Sequence, residues 1–222
     1  MLLMPVFLLW FLNMGTHNFK RLPVFGPKVE VYNEATGTID TLDHRIAEFN
    51  FIDEHGRAFG SKDIDSTIYV AGFVFTRCPS ICPRMTQQMA RLQLKLDNEA
   101  FDEIKFLLHS VDPKHDSSEV LLAFAEKYHL QDDRTVLLTG DKSEIYTLGA
   151  SSYLLAAQED VSAPGGFLHS EKFVLVDRKG RIRGFYDGTN SEEVDRLGDE
   201  IKLLLKEEDI DAYNRRKAKS TD

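Results

Sequence analysis

The chain has 222 residues, and with a prior of about 150 residues per domain its 42% hydrophobic content provides one core with segments to spare. Its 36 acidic residues outnumber 27 basic ones, for a net charge of −9. That balance disfavours a phosphate backbone, and so nucleic acid, as a partner. Two cysteines are too few for a disulfide-stapled mini-protein or a four-thiolate zinc site, but they lie four positions apart and belong together.

Residues 2–14 (LLMPVFLLWFLNM) are apolar apart from Asn13, yet shorter than the roughly 20 residues that cross a bilayer. No basic residue precedes the run and no A-x-A site follows it, so a cleaved signal peptide is a poor description. The expectation is a membrane anchor over 1–15 whose first residues lie upstream of the sequence as given; the alternative is a buried or interfacial segment. Lys20 and Arg21 after the run would by themselves hold the bulk of the chain on the cytoplasmic side, and a longer basic start would remove that conflict. Residues 16–48, with Pro23, Pro27 and the polar run NEATGT, read as a tether with one short strand at VEVY.

A compact domain is expected over 49–208. It opens with a hairpin, residues 49–53 and 57–59 around Gly56. Residues 67–76 (TIYVAGFVFT) form a β-branched and aromatic run, the pattern of a strand buried on both faces. Met85, Met89, Leu92 and Leu96 then mark one face of a helix, with Pro83 at its first position. Strand 104–111, helix 118–128, strand 135–138 and helix 142–154 continue the alternation. After the break SAPGGF, strands 172–177 and 181–186 pair through RKG, and a helix over 191–207 carries Val194, Leu197, Ile201, Leu204 and Leu205 as its buried stripe. Residues 209–222 read as a polar, frayed tail. The class is α/β, a mixed central sheet flanked by helices, because the late hairpin rules out an all-parallel one.

Cys78 and Cys82 sit in FTRCPSICP, between the buried strand and the first turn of a helix, where α/β sheets expose their chemistry. Free helix amides and Arg77 would favour thiolate, so both sulfurs are candidate nucleophiles or metal ligands. The plain alternative, incidental cysteines or a structural disulfide, is weaker because so short a loop gains little from closure. Two thiolates are soft ligands that suit Cu(I). Among seven histidines, His17, His44, His55, His115 and His129 lie in polar text, and His109 in a strand pattern is structural; His169, after SAPGGF and before a strand, is the candidate third ligand.

FTRCPSICP after a buried strand, SVDPKHD about 30 residues later and LHSEKFVLVD near the end together resemble the Sco/SenC family of copper proteins. The resemblance covers about 49–205. It implies a thioredoxin-like sandwich with an extra N-terminal β-hairpin, and copper bound by Cys78, Cys82 and His169. It further implies delivery of copper to the dinuclear copper A centre of cytochrome c oxidase subunit II, or another copper protein. The alternative function is a thiol-disulfide reductase that uses a redox-active Cys78–Cys82 pair to keep the client's copper-site cysteines reduced. Family members hang from one N-terminal helix and face the bacterial periplasm or the mitochondrial intermembrane space.

The chain departs from the general thiol reductases that share this fold. Its only Trp is Trp10, the cysteine spacing is one residue longer than C-x-x-C, and the usual cis-proline slot reads His169-Ser170. A peroxidase of the peroxiredoxin kind has no support beyond the shared fold. Asp112 and Asp116 match acidic family positions and are supporting candidates, but their residue-level reading is a turn residue and a helix cap.

Overall fold

A computed structural model describes residues 21–34, 36–131, 133–155 and 170–219. The apolar run at 2–14, the SAPGGF segment and His169 lie outside the described residues. Among the described residues no helix is long and apolar enough to cross a membrane.

Among the described residues there are nine strands: β1 (Val29–Asn33), β2 (Thr38–Leu42), β3 (Asn50–Asp53), β4 (Ala58–Gly60), β5 (Tyr69–Val74), β6 (Lys105–Ser110), β7 (Thr135–Thr139), β8 (Lys172–Val176) and β9 (Ile182–Asp187). Seven form one mixed sheet in the order β4-β3-β7-β6-β5-β8-β9. β5, β6 and β7 run parallel, with Phe73 opposite His109 and His109 opposite Leu138. β3 and β8 flank them antiparallel. The sequence dictates this centre: every residue of β5 is buried, as a strand covered on both faces requires. The expected hairpin is β3–β4, and it forms one edge of the sheet.

Four α-helices among the described residues accompany the sheet: α1 (Ile81–Lys95), α2 (Ser118–Lys127), α3 (Lys142–Thr147) and α4 (Ser191–Lys219). Helix α1 buries Met85, Met89 and Leu92, as their spacing predicts, and packs on α4. Pro83 is its third residue rather than its first, still within the turn whose N–H groups have no helical acceptor. β9 is antiparallel to β8 and β8 to β5. The carboxyl ends of β5, β6, β7 and β9 therefore share one edge, and α4 starts at that edge and runs to the other.

Three expectations are corrected. The segment read as a tether contains two strands, not one: β1 and β2 form a separate antiparallel hairpin, turned at Gly37 with φ of 69°, where NEATGT supplies the turn. The residues around it are docked: Phe25 bridges to Ile182 and the Ile46 amide donates to the Gly180 carbonyl at 2.8 Å. The helix expected over 142–154 ends at Thr147 and passes into a single π turn, Leu148–Ser152. The last helix extends to Lys219, so residues 209–219 are helical; none of them is fully buried, and the apolar periodicity that reveals a helix in sequence is missing from them.

Candidate metal centre

Strand β5 delivers the chain to the carboxyl edge, and residues 75–80 turn it into α1. The turn closes where the Cys78 amide donates to the Phe75 carbonyl at 3.2 Å. The Cys82 amide, in the first turn of α1, donates to Cys78 Sγ at 3.4 Å. Both cysteines are free thiols and both are buried. The Thr86 hydroxyl donates to the Cys82 carbonyl at 2.8 Å, which holds the turn that carries the second sulfur.

The two thiols differ. Burial pushes the Cys78 thiol up, but the N–H groups of Cys82, Ser80 and Ile81 aimed at its sulfur outweigh that and hold it below the ordinary thiol value. Burial dominates at Cys82 and, with the neighbouring Cys78 sulfur, pushes its thiol far above the ordinary value. Cys78 is thus the easier of the two sulfurs to ionise and Cys82 the harder. A bound soft cation would deprotonate the second sulfur, since coordination does so outright.

Arg77 does not take the role expected of it. Its guanidinium is bound to Asp112 Oδ2 at 2.6 Å and to His115 Nδ1 at 2.9 Å, and the groups that lower Cys78 are backbone amides and the Cys82 thiol instead. Asp112 lies at a turn, as read: its carbonyl accepts from the amides of His115 and Asp116. Burial pushes its carboxyl up, but His115 and Arg77 hold it below the ordinary range.

Asp116 is not the helix cap that its position suggests. Ser117 occupies the N-cap of α2, and Asp116, fully buried, points back at the cysteine loop. It accepts from the Thr76 amide at 3.2 Å, the Thr76 hydroxyl at 2.6 Å and the Ser110 hydroxyl at 2.5 Å. This carboxylate ties the start of the cysteine loop to the end of β6. Sequence reasoning missed Thr76 and Ser110, which lie 40 and 6 positions from Asp116.

His109 is structural, as expected. It is fully buried, stacked on Phe73 at 4.9 Å with Phe49 and Phe51 edge-on, and burial pushes its imidazole down to about 3. Among the described residues no group of three His, Cys, Asp or Glu side chains is arranged to hold a metal ion. A third ligand, if the site has one, would have to come from outside these residues. His169 adjoins Ser170, whose hydroxyl accepts from the Lys172 amide at the start of β8. Strand β8 is the neighbour of β5 and begins at the edge that carries the cysteines.

The SCO1/SenC family model matches residues 38–205. The chain belongs to the SCO1/SenC family. The SCO1 protein homolog of Bacillus subtilis is 31% identical over 167 residues, covering 73% of this chain and 84% of that one. The solved structure of BsSco, described as a member of the Sco family of cytochrome c oxidase assembly proteins with a disulfide switch, is 28% identical. It covers 75% of this chain and 96% of its own, with a TM-score of 0.65. The structure of Arabidopsis thaliana ScoI with copper bound shares the fold at 23% identity, with a TM-score of 0.60 over 72% of this chain and 98% of that one.

Proposed function

We propose that this protein is a copper metallochaperone that holds copper through Cys78, Cys82 and His169 and assists assembly of the copper A centre of cytochrome c oxidase, with subunit II as the client. The observation that carries the reading is the cysteine pair itself: two free thiols at one strand-to-helix junction, the second residue's amide bonded to the first residue's sulfur. Soft sulfur donors select Cu(I) over harder cations. The domain is held to the membrane by the apolar segment at 1–15 and faces the periplasm or the mitochondrial intermembrane space. Titration of the reduced protein with Cu(I), followed by X-ray absorption, tests the site. One copper with two sulfurs and one imidazole nitrogen is expected; His169→Ala retains a weaker two-sulfur site and either Cys→Ser change abolishes specific binding. Sulfur-only coordination in the unaltered protein overturns it.

The unequal thiols favour one second reading, a thiol-disulfide reductase. The Cys78 thiolate would attack a disulfide of the client and expel one client thiolate. Cys82, on losing its proton, would then attack Cys78 of the mixed disulfide, leaving a Cys78–Cys82 disulfide and a reduced client. This activity survives His169→Ala, whereas chaperoning does not, so that variant separates the two.

A further inference from the structure

Helix α4 changes character along its length. From Ser191 to Glu207 it buries Val194, Leu197, Ile201 and Leu204 and packs on β9 and α1. Beyond Glu207 no residue is fully buried, and only Glu208, Asp211 and Ala212 are half-buried, yet the helix continues to Lys219 for about three turns. Most helical stability in water comes from a packed face, so an extension without one implies a surface to lie against. Ile210 and Tyr213 stand 41% and 65% exposed, and Lys217 shares their face at i, i+3 and i+7, with Arg216 beside it. Cations in a last turn complement the helix dipole, but that does not account for the isoleucine and tyrosine upstream. Aromatic and aliphatic side chains next to cations suit a lipid headgroup layer.

The place of this extension in the fold points the same way. Asp211 holds Arg21 at 2.5 Å, Glu207 accepts from the Leu22 amide, and Arg183 binds the carbonyls of Leu22 and Pro23. The chain therefore enters the domain beside the end of α4. Seven residue steps separate Arg21 from Met14, the end of the apolar run, and an extended chain covers about 25 Å in that number. With Asp211 and Arg21 on one side of the helix, the Ile210–Tyr213–Lys217 face is on the other. The end of α4 is also the pole opposite the cysteine loop, because α4 follows β9 at the carboxyl edge, where Arg84 in the first turn of α1 reaches the Thr189 carbonyl, and is about 44 Å long.

We propose that the extension of α4 lies on an anionic phospholipid surface, with Ile210 and Tyr213 in the interface and Arg216 and Lys217 on the phosphates, so that the cysteine loop faces away from the bilayer. The proposal rests on the reading of residues 2–14 as a membrane anchor. The test uses the full chain reconstituted with vesicles of phosphatidylcholine, with or without phosphatidylglycerol. Flotation reports the anchor, and hydrogen exchange over 209–219 reports the contact. The chain should float with both vesicles, and exchange over 209–219 should slow about tenfold where phosphatidylglycerol is present. High salt, or the exposed double change Arg216→Glu and Lys217→Glu, should abolish the slowing while exchange in α1 stays the same. Flotation with equal exchange on both vesicles overturns the proposal and leaves the anchor intact. Failure to float overturns the anchor and the proposal with it. Slowing by soluble polyglutamate but not by lipid assigns the face to an acidic protein and overturns the proposal.

Discussion

The inequality of the two thiols makes Cys78 the residue on which the site's reactivity turns. In reduced, metal-free protein, alkylation by iodoacetamide should label Cys78 first, with a rate that rises with pH through a midpoint below that of an ordinary thiol, because the thiolate is the reacting species and three amides stabilise it. Cys82 should label slowly across the same range, since burial holds its proton. Peptide mass spectrometry across pH checks this, and first labelling at Cys82 would refute it. Asp116 is the residue that positions the loop. Asp116→Asn keeps the shape but exchanges an acceptor oxygen for a donor facing Thr76 and Ser110. The expected cost is about 1–3 kcal/mol, measured by urea unfolding, with faster amide exchange at Thr76. The cysteine pair was legible in sequence because two cysteines four positions apart at a strand-to-helix junction define a local geometry. Asp116 was not, because Thr76 is brought to it only by pairing β5 with β6.

At the scale of elements, burial separates what the fold needs from what it carries. Hairpin β1–β2 is exposed along nearly its whole length, and a two-stranded hairpin alone is marginal in water. Its flanks are fixed independently, by Phe25 against Ile182 and by His44 Nε2 bonded to the Ser152 carbonyl at 2.7 Å. Replacement of 29–42 by a short glycine-serine loop should therefore change unfolding stability by less than about 0.5 kcal/mol. Leu92→Ala, at a fully buried position in α1, should cost about 2–5 kcal/mol. Equal effects in urea titrations would show that the hairpin belongs to the folding unit. The sheet strands and packed helices were legible because burial imposes a period on their sequence. VEVY was visible as a strand, but its partner TIDTL has only alternating polar and β-branched residues. The extension of α4 was missed for the same reason: residues that bury no apolar side chain carry no stripe.

At the scale of the whole molecule, one buried ionic group joins the N-terminal chain to the sheet and the last helix. Arg183, in β9, is 2% exposed. It meets Glu207 of α4 at 2.9 Å and Asp177 at 3.1 Å while binding the carbonyls of Leu22 and Pro23. A buried pair is weak evidence of net stabilisation, but removal of one partner leaves an uncompensated charge. Arg183→Met should therefore cost about 3–5 kcal/mol and release residues 21–25 to trypsin at Arg21. Adding Glu207→Leu should recover part of that loss, because Asp177 keeps its bonds from Arg181. The exposed pair Lys202–Asp199 is the control, and Lys202→Ala should cost less than about 1 kcal/mol. Acid should weaken the same junction. Burial pushes the Asp177 carboxyl up, but bonds from Arg181 and the Lys179 amide hold it below its ordinary value. A depressed carboxyl stabilises fully above its unfolded value of about 3.9 and loses that contribution as pH falls through the folded one. Urea midpoints should therefore fall as pH is taken below about 4, and the fall should be smaller in Arg181→Gln, where Asp177 has lost its main partner. An Arg183→Met protein as stable as the unaltered one, with Arg21 still protected, would show that apolar packing alone holds the chain's entry point.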